Sequence, residues 1–242
     1  MKINKAVILA AGKGERLKNI TGEIPKPMIN FKGKPLLQHN VELCRKFNIN
    51  EIYINTHYLA DKISKYFGDG TDFGVSITYS NEPELLGTAG ALKNISKLYW
   101  ENISKEPFFV IYGDNYSRYN LSLLTEKYNS SGHASIVAFH YREDVSESGV
   151  AEFNSDDSII KFIEKPKPGS TDSHWVNAGI YLLRPDIIDF IPDGFSDFGK
   201  DIFPRLLENK VPLYGVRDKA AVFAFDTPEM YSRFIKSDEI KK

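Results

Sequence analysis

The sequence predicts an α/β fold built around a mostly parallel central sheet. Three observations predict it. An apolar run, Lys5 to Ala10 (K-A-V-I-L-A), empties into a loop carrying Gly12 and Gly14; strand-like and helix-like segments alternate through the first half; and closely spaced β-rich runs replace that alternation after Ala134. Alternation of this kind is the mark of βαβ units, and an apolar run without polar gaps is that of a strand covered on both faces.

Taken in order, the first strand, Lys5 to Ala10, is followed by a helix from Pro35 to Phe47 and a strand from Glu51 to Asn55. A helix from Ala60 to Phe67 and a strand from Val75 to Tyr79 come next, then a helix from Gly90 to Tyr99, a strand from Phe108 to Tyr112 and a helix from Leu121 to Tyr128. The β-rich part comprises Ser135 to His140, Gly149 to Phe153, Ile159 to Glu164 and Asn177 to Leu183, with two helical stretches between Pro185 and Glu208. One unit over 1–242 is expected, with a change of character between 1–133 and 134–242. Ligands of open α/β sheets bind at the carboxyl ends of the strands, so chemistry is expected just after Ala10, Tyr79 and Tyr112.

The 242 residues, 42% hydrophobic and 26% charged, suffice for a full core. Thirty-one lysines and arginines against 32 aspartates and glutamates leave a formal charge of -1, so no broad field favours nucleic acid or an anionic membrane. Any basic site must be local. The single cysteine, Cys44, can form no internal disulfide and fits a buried thiol in a reducing cytoplasm. Ala6 to Ala11 is too short for a membrane span and lacks the features of a signal peptide, so a soluble, cytoplasmic chain is expected.

Ala10 to Leu17 reads A-A-G-K-G-E-R-L. Small residues there let main-chain N–H groups approach a phosphate or base, while Lys13 and Arg16 add charge. The dinucleotide fingerprint G-x-G-x-x-G fails at Leu17, and no Gly-Lys-Ser/Thr completes a P-loop. The continuation Thr21 to Met28, T-G-E-I-P-K-P-M, places Lys26 between two prolines, which predicts an extended, fixed lysine. Asp114, after a predicted strand and Gly113, is a candidate ligand for Mg²⁺, a hard cation that favours carboxylate and phosphate oxygens. None of the five histidines stands in a catalytic motif; His57 and His174 read as structural.

These motifs resemble the sugar-1-phosphate nucleotidyltransferase family, whose opening pattern is approximately G-G-x-G-x-R-L-x-P-L-T-x-x-x-P-K-P. Gly12, Gly14, Arg16, Leu17, Thr21 and Pro25-Lys26-Pro27 fall at matching intervals, with departures at Ala11 and Asn19. The similarity continues through L-G-T-A-G-A-L (Leu86 to Leu92), Gly113-Asp114-Asn115, Gly149-Val150, F-I-E-K-P (Phe162 to Pro166), N-A-G-I-Y (Asn177 to Tyr181) and Thr227-Pro228-Glu229.

The resemblance implies a Rossmann-like α/β/α sandwich with a smaller mixed β-rich sugar-binding part, 1–133 mainly binding the nucleotide and 134–242 mainly the sugar phosphate. It implies Mg²⁺-dependent transfer of a nucleotidyl group from a nucleoside triphosphate to a sugar 1-phosphate, with release of pyrophosphate. Arg16 and Lys26 would hold the triphosphate, and Lys165 the sugar phosphate and the charge developing near the α-phosphorus. Leu9, Ala10, Ala11, Gly12, Gly14, Gly87, Thr88, Gly90 and Asp114 would line the nucleotide; Gly149, Glu164, Asn177 and Gly179 would meet the sugar.

Asp114 would share the metal with a late aspartate, often found in D-x-G-T-P. Here the segment reads A-F-D-T-P, and Asp226 matches in the Asp-Thr form of cytidylyltransferases, whereas a match without a gap would place Ala224 there. Such a reaction demands charge neutralisation more than a base, because a phosphate with a second pKa of about 6 is largely ionised at neutral pH.

The L-G-T-A-G-A-L loop looks most like that of mannose- and heptose-1-phosphate guanylyltransferases that serve surface polysaccharide synthesis. The opening loop is equally compatible with uridylyl- and thymidylyltransferases, and Asp226-Thr227 leans toward cytidylyl transfer. Transfer to a non-sugar phosphate and a non-catalytic nucleotide-sugar sensor are the competing readings. The chain ends soon after a helix predicted near Thr227, so a minimal unit without a C-terminal β-helix is expected; homo-oligomerisation, common among relatives, stays open.

Overall fold

The computed structural model describes residues 3–17, 22, 24–103, 106–219, 222–225 and 227–236, with side chains at all of these except 100–103 and 233–236. In chain order the elements are β1 (Lys5–Leu9), β2 (Asn30–Phe31), β3 (Lys34–Pro35), α1 (Leu36–Lys46), β4 (Glu51–Thr56), α2 (Ala60–Phe67) and β5 (Ser76–Asn81). Then follow α3 (Gly87–Ile103), β6 (Phe108–Tyr112), β7 (Asn115–Ser117), α4 (Ser122–Ser130), β8 (Ser135–Tyr141), β9 (Gly149–Phe153) and β10 (Ile159–Glu164). The chain continues through β11 (Trp175–Leu183), α5 (Phe203–Glu208), β12 (Leu213–Asp218), β13 (Val222–Ala224) and α6 (Pro228–Lys236).

The main sheet runs β5-β4-β1-β6-β11-β8-β12, with β9 paired to β11 and β10 to β9. Strand β1 pairs in parallel with β4 and β6, while β11 is antiparallel to both β6 and β8. Because β12 is parallel to β8, only β11 runs against the others in that row. Alternation along β1 sends Ala6 and Ile8 into a core with α1, α2 and α4, and Val7 and Leu9 into a second core with α3 and α5. The result is the α/β/α sandwich expected of the sequence. A third cluster of Leu17, Ile29, Phe31, Leu36, Phe223 and Phe225 lies under the glycine loop and the β7–β13 ladder.

Helix α3 and strand β12 differ from expectation for identifiable reasons. Helix α3 starts at Gly87, three residues before the predicted start, because the N–H groups of Ala89 and Gly90 donate to Ser196 O at 3.0 and 3.1 Å. That distant carbonyl satisfies donors a helix start would otherwise leave orphaned. Strand β12 escaped the sequence reading because Gly215 interrupts it; the ring of Phe153 fills the place of the missing side chain, 2.3 Å from where a Cβ would stand. The helical stretches between Pro185 and Glu208 are a 3₁₀ turn at Pro185–Phe190 and a π turn at Phe198–Ile202 that runs into α5.

Candidate active site

The loop after β1 is held from behind by buried polar groups. Ala10 N donates to Asn55 Oδ1 at 2.7 Å, and Asn55 Nδ2 donates to Glu82 Oε1 at 2.9 Å. Glu82 is 2% exposed, and burial raises its pKa despite the opposing bond from Asn55. The side chains of Leu9, Ala10 and Ala11 are buried, so only their main chain can meet a ligand. Beyond them a cavity of about 410 Å³ is lined by Gly12, Gly14, Arg16, Lys26, Leu85 and Asp114, among others.

Gly12 has no protein atom within 4 Å of a would-be Cβ, whereas at Gly14 (φ 64°) that position is 2.8 Å from Lys26 Cβ. Gly14 thus lets the loop close over the lysine. The predicted extended conformation of Lys26 is corrected: Pro25 is extended (φ −64°, ψ 144°), but Lys26–Met28 is a 3₁₀ turn closed by Met28 N to Pro25 O at 2.8 Å. Pro27 falls early in this turn, where its locked φ and missing N–H are compatible with helical geometry. Lys26 is 7% exposed and forms an ion pair with the Asp114 carboxylate.

Asp114 is positioned by the end of β6. Gly113 N donates to Leu9 O at 2.8 Å, and a Cβ on Gly113 would stand 2.9 Å from that same oxygen, so only glycine lets the two strand ends approach this closely. The buried Asn40 amide clamps the turn by donating to Asn115 O at 3.0 Å and Gly113 O at 3.3 Å. Asn115 pairs with Ala224 across the β7–β13 ladder. Asp226, like Thr21, lies outside the described residues.

Among the described residues no group of three or more His, Cys, Asp or Glu side chains could hold a metal ion by itself. One carboxylate at the junction of two cavities nevertheless suits Mg²⁺, which is commonly bound by one or two carboxylates together with substrate phosphates.

A second cavity, of about 300 Å³, shares Arg16 and Asp114 with the first and is also lined by Gly149, Glu164, Lys165, Asn177 and Gly179. All five residues assigned to the sugar by resemblance are therefore brought together. The Glu164 carboxylate, exposed along its flank, reaches into a cradle 2.7 and 2.6 Å from where Cβ atoms of Gly149 and Gly199 would stand. That enclosure, reinforced by nearby Asp197, raises its pKa, and Lys165 opposes the shift.

Gly149 thus accommodates Glu164, and Gly179 (φ 67°) accommodates the ring of Tyr112, 2.7 Å from its would-be Cβ. Lys165 (φ 50°) is paired with Glu147 at 2.8 Å, both side chains well exposed.

Gly87, Thr88 and Gly90, assigned to the base side, dock on the segment 194–198. Would-be Cβ atoms on the two glycines stand 2.4 Å from Ser196 O and 2.2 Å from Gly194 O, and Thr88 Oγ1 donates to Asp197 Oδ2 at 2.6 Å.

Sequence reasoning missed Tyr112, His140, Arg142, Glu147 and Asp197 in the second cavity. No local motif marks them; they converge from β6, β8, the loop between β8 and β9, and the segment before Phe198. Burial, with Arg142 nearby, lowers the His140 pKa to about 4, so its imidazole is neutral. His57 and His174 bond backbone carbonyls, Glu82 O at 2.8 Å and Arg142 O at 3.1 Å, as structural histidines do.

The profile of the family described as nucleotidyl transferase matches residues 5–223. A UTP–glucose-1-phosphate uridylyltransferase of Synechocystis is 37% identical over 88% of this chain and 57% of its own length. Mannose-1-phosphate guanyltransferase 2 of Candida glabrata is 32% identical over 85% of this chain and 57% of its own. The chain thus spans a little over half the length of these relatives.

Among solved structures, HddC from Yersinia pseudotuberculosis superposes with a TM-score of 0.78 at 28% identity, covering 97% of this chain and 99% of that one. No helix among the described residues is long and apolar enough to cross a membrane. By sequence, by fold and by the motifs gathered around its two cavities, the chain belongs to the nucleotidyl transferase family.

Proposed function

We propose that the protein transfers a nucleotidyl group from a nucleoside triphosphate to a sugar 1-phosphate and releases pyrophosphate. The observation that carries the reading is the shared wall of the two cavities: Arg16 and Asp114 line both, with the buried Lys26 behind Asp114. Two anionic substrates, one in each cavity, would meet at that charged wall.

In the transfer, a phosphate oxygen of the sugar 1-phosphate forms a bond to the α-phosphorus while the bond from that phosphorus to the bridging oxygen of the β-phosphate breaks, and pyrophosphate leaves. Arg16 and Lys26 draw charge from the triphosphate, and Lys165 exchanges its partner Glu147 for the incoming phosphate and aligns it. Bound at Asp114 with the phosphate oxygens, Mg²⁺ would supply further charge neutralisation; Asp226 is the second ligand in this reading. Glu164, Asn177 and the main chain near Gly149 and Gly179 hold the sugar, and the neutral His140 adds a polar group without charge.

For the base and sugar, the reading is guanylyl transfer to a mannose- or heptose-type 1-phosphate for surface polysaccharide synthesis. It is supported by the L-G-T-A-G-A-L loop, the Candida relative and the likeness to HddC, of which a complex with GMP-PN is known. The Synechocystis relative, at 37% identity, supports uridylyl transfer to glucose 1-phosphate as the second reading. The buried Cys44 thiol, its pKa pushed up to about 12, suits a reducing cytoplasm as the working compartment.

Pyrophosphate release from GTP, UTP, CTP and dTTP, each against mannose, heptose and glucose 1-phosphates and phosphocholine, with Mg²⁺ or with chelator, tests the proposal. The guanylyl reading expects the highest kcat/KM for GTP with a manno-configured sugar. Preference for UTP with glucose 1-phosphate overturns that choice, and tight nucleotide binding without release for any pair supports a sensor instead.

A further inference from the structure

In the wall of the sugar-side cavity Asn177 is tied to two tyrosines, the half-buried Tyr112 and the buried Tyr181, to which the proposed chemistry gives no role. Asn177 Oδ1 accepts from Gly179 N at 2.9 Å, which fixes the amide orientation because a backbone N–H can only donate. Its Nδ2 donates to Tyr181 Oη at 2.8 Å, and Tyr181 Oη donates to Tyr112 Oη at 3.0 Å. Tyr181 is 0% exposed, and the Tyr112 phenol lies in the field of the Asp197 carboxylate, with the Thr88 hydroxyl as a neighbour. Burial raises the pKa of both phenols, so each retains its proton. The series runs from the Asn177 amide through Tyr181 to Tyr112. A side-chain amide has two donor hydrogens, and Tyr181 uses one.

We propose that Tyr181 and Tyr112 are positioning residues for sugar recognition: they lock Asn177 so that its second amide hydrogen is presented to the cavity, which thereby selects a sugar oxygen that accepts a hydrogen bond there. The proposal rests on the sugar-phosphate reading above. Tyr181 does not line the cavity and acts only through Asn177. Without its hydroxyl the amide keeps the Gly179 bond but loses the second restraint, and a weakened hydrogen bond to the sugar corresponds to about a tenfold rise in KM. The nucleotide side has no part in this bond.

The test is steady-state kinetics of Tyr181→Phe, Tyr112→Phe, Asn177→Ala and the Tyr181→Phe/Asn177→Ala double variant, with direct binding of the best sugar 1-phosphate from the panel above measured by calorimetry. Each tyrosine variant is expected to raise KM and Kd for the sugar phosphate about tenfold while KM for the triphosphate stays within twofold. In the Asn177→Ala background the Tyr181→Phe effect is expected to vanish, a non-additivity that simple loss of stability does not produce. Monodeoxy sugar phosphates identify the oxygen: its removal is expected to cost the wild type about tenfold and Tyr181→Phe little more.

Turnover by the wild type with unchanged sugar KM in both tyrosine variants, equal effects on both substrates, or full additivity with Asn177→Ala overturns this inference alone. Failure of the wild type to bind or turn over any sugar phosphate overturns the functional reading and this inference with it.

Discussion

The Lys26 ammonium is ion-paired with the Asp114 carboxylate across 88 residues of sequence, and the lysine is buried while the aspartate lies on the wall common to both cavities. The pair brings the end of the glycine-loop segment and the end of β6 to one point. Removing either charge breaks this pair at the wall where the two cavities meet. Lys26→Met is expected to lower kcat/KM by about 10²- to 10³-fold. Asp114→Asn is expected to keep a folded protein whose turnover no longer responds to Mg²⁺ concentration. Initial rates over a Mg²⁺ titration, with circular dichroism as a control for folding, check both.

Two glycines of the same loop should behave differently. Gly12 faces open space within the cavity, and Gly14 is filled by Lys26 and has positive φ. Gly12→Ala is expected to leave Tm within a degree or two and to raise KM for the triphosphate severalfold. Gly14→Ala is expected to lower stability by about 1–3 kcal/mol and to impair catalysis through displacement of Lys26. Thermal melts and triphosphate KM values for the two variants, side by side, check this.

His140 makes stability sensitive to mild acid. Its folded-state pKa is depressed to about 4 by burial and by Arg142, against 6.5 in an unfolded chain. Between those values the unfolded state takes up a proton that the folded state refuses. Its contribution is therefore present above pH 6.5 and lost as pH falls toward 4, by about 3 kcal/mol when complete. Tm measured from pH 7 to pH 4 should fall more steeply for the wild type than for His140→Gln; parallel profiles would contradict this.

Lys165 separates function from folding. Its ion pair with Glu147 is exposed on both sides and contributes little to stability. Lys165→Ala is expected to melt within about 2 °C of the wild type and to lose about 10²- to 10³-fold in kcat. Loss of stability in proportion to activity would argue against its role in the reaction.

Much of this was legible in the sequence because short-range signals agreed with the final packing. The apolar run of β1, the boundaries of α2 and β6, and the glycine loop each follow from local pattern. The sugar-side residues Glu164, Lys165 and Asn177 were reached through motif order. Residues whose role exists only in three dimensions were not legible: Asn40 clamps a turn more than 70 positions away, Asp197 receives Thr88 across 109 positions of sequence, and His140 has its pKa lowered by burial and by Arg142. The start of α3 was misjudged for the same reason, since the carbonyl that caps it belongs to Ser196.

The most direct test of the central claim is phosphorus NMR of a single reaction containing the protein, Mg²⁺, a nucleoside triphosphate and a sugar 1-phosphate. The account predicts resonances of a nucleoside diphosphate sugar and of pyrophosphate rising in equal amounts, and their disappearance with chelator or with Asp114→Asn. Release of orthophosphate, or pyrophosphate formed with no sugar-linked product, across the whole substrate panel would contradict it.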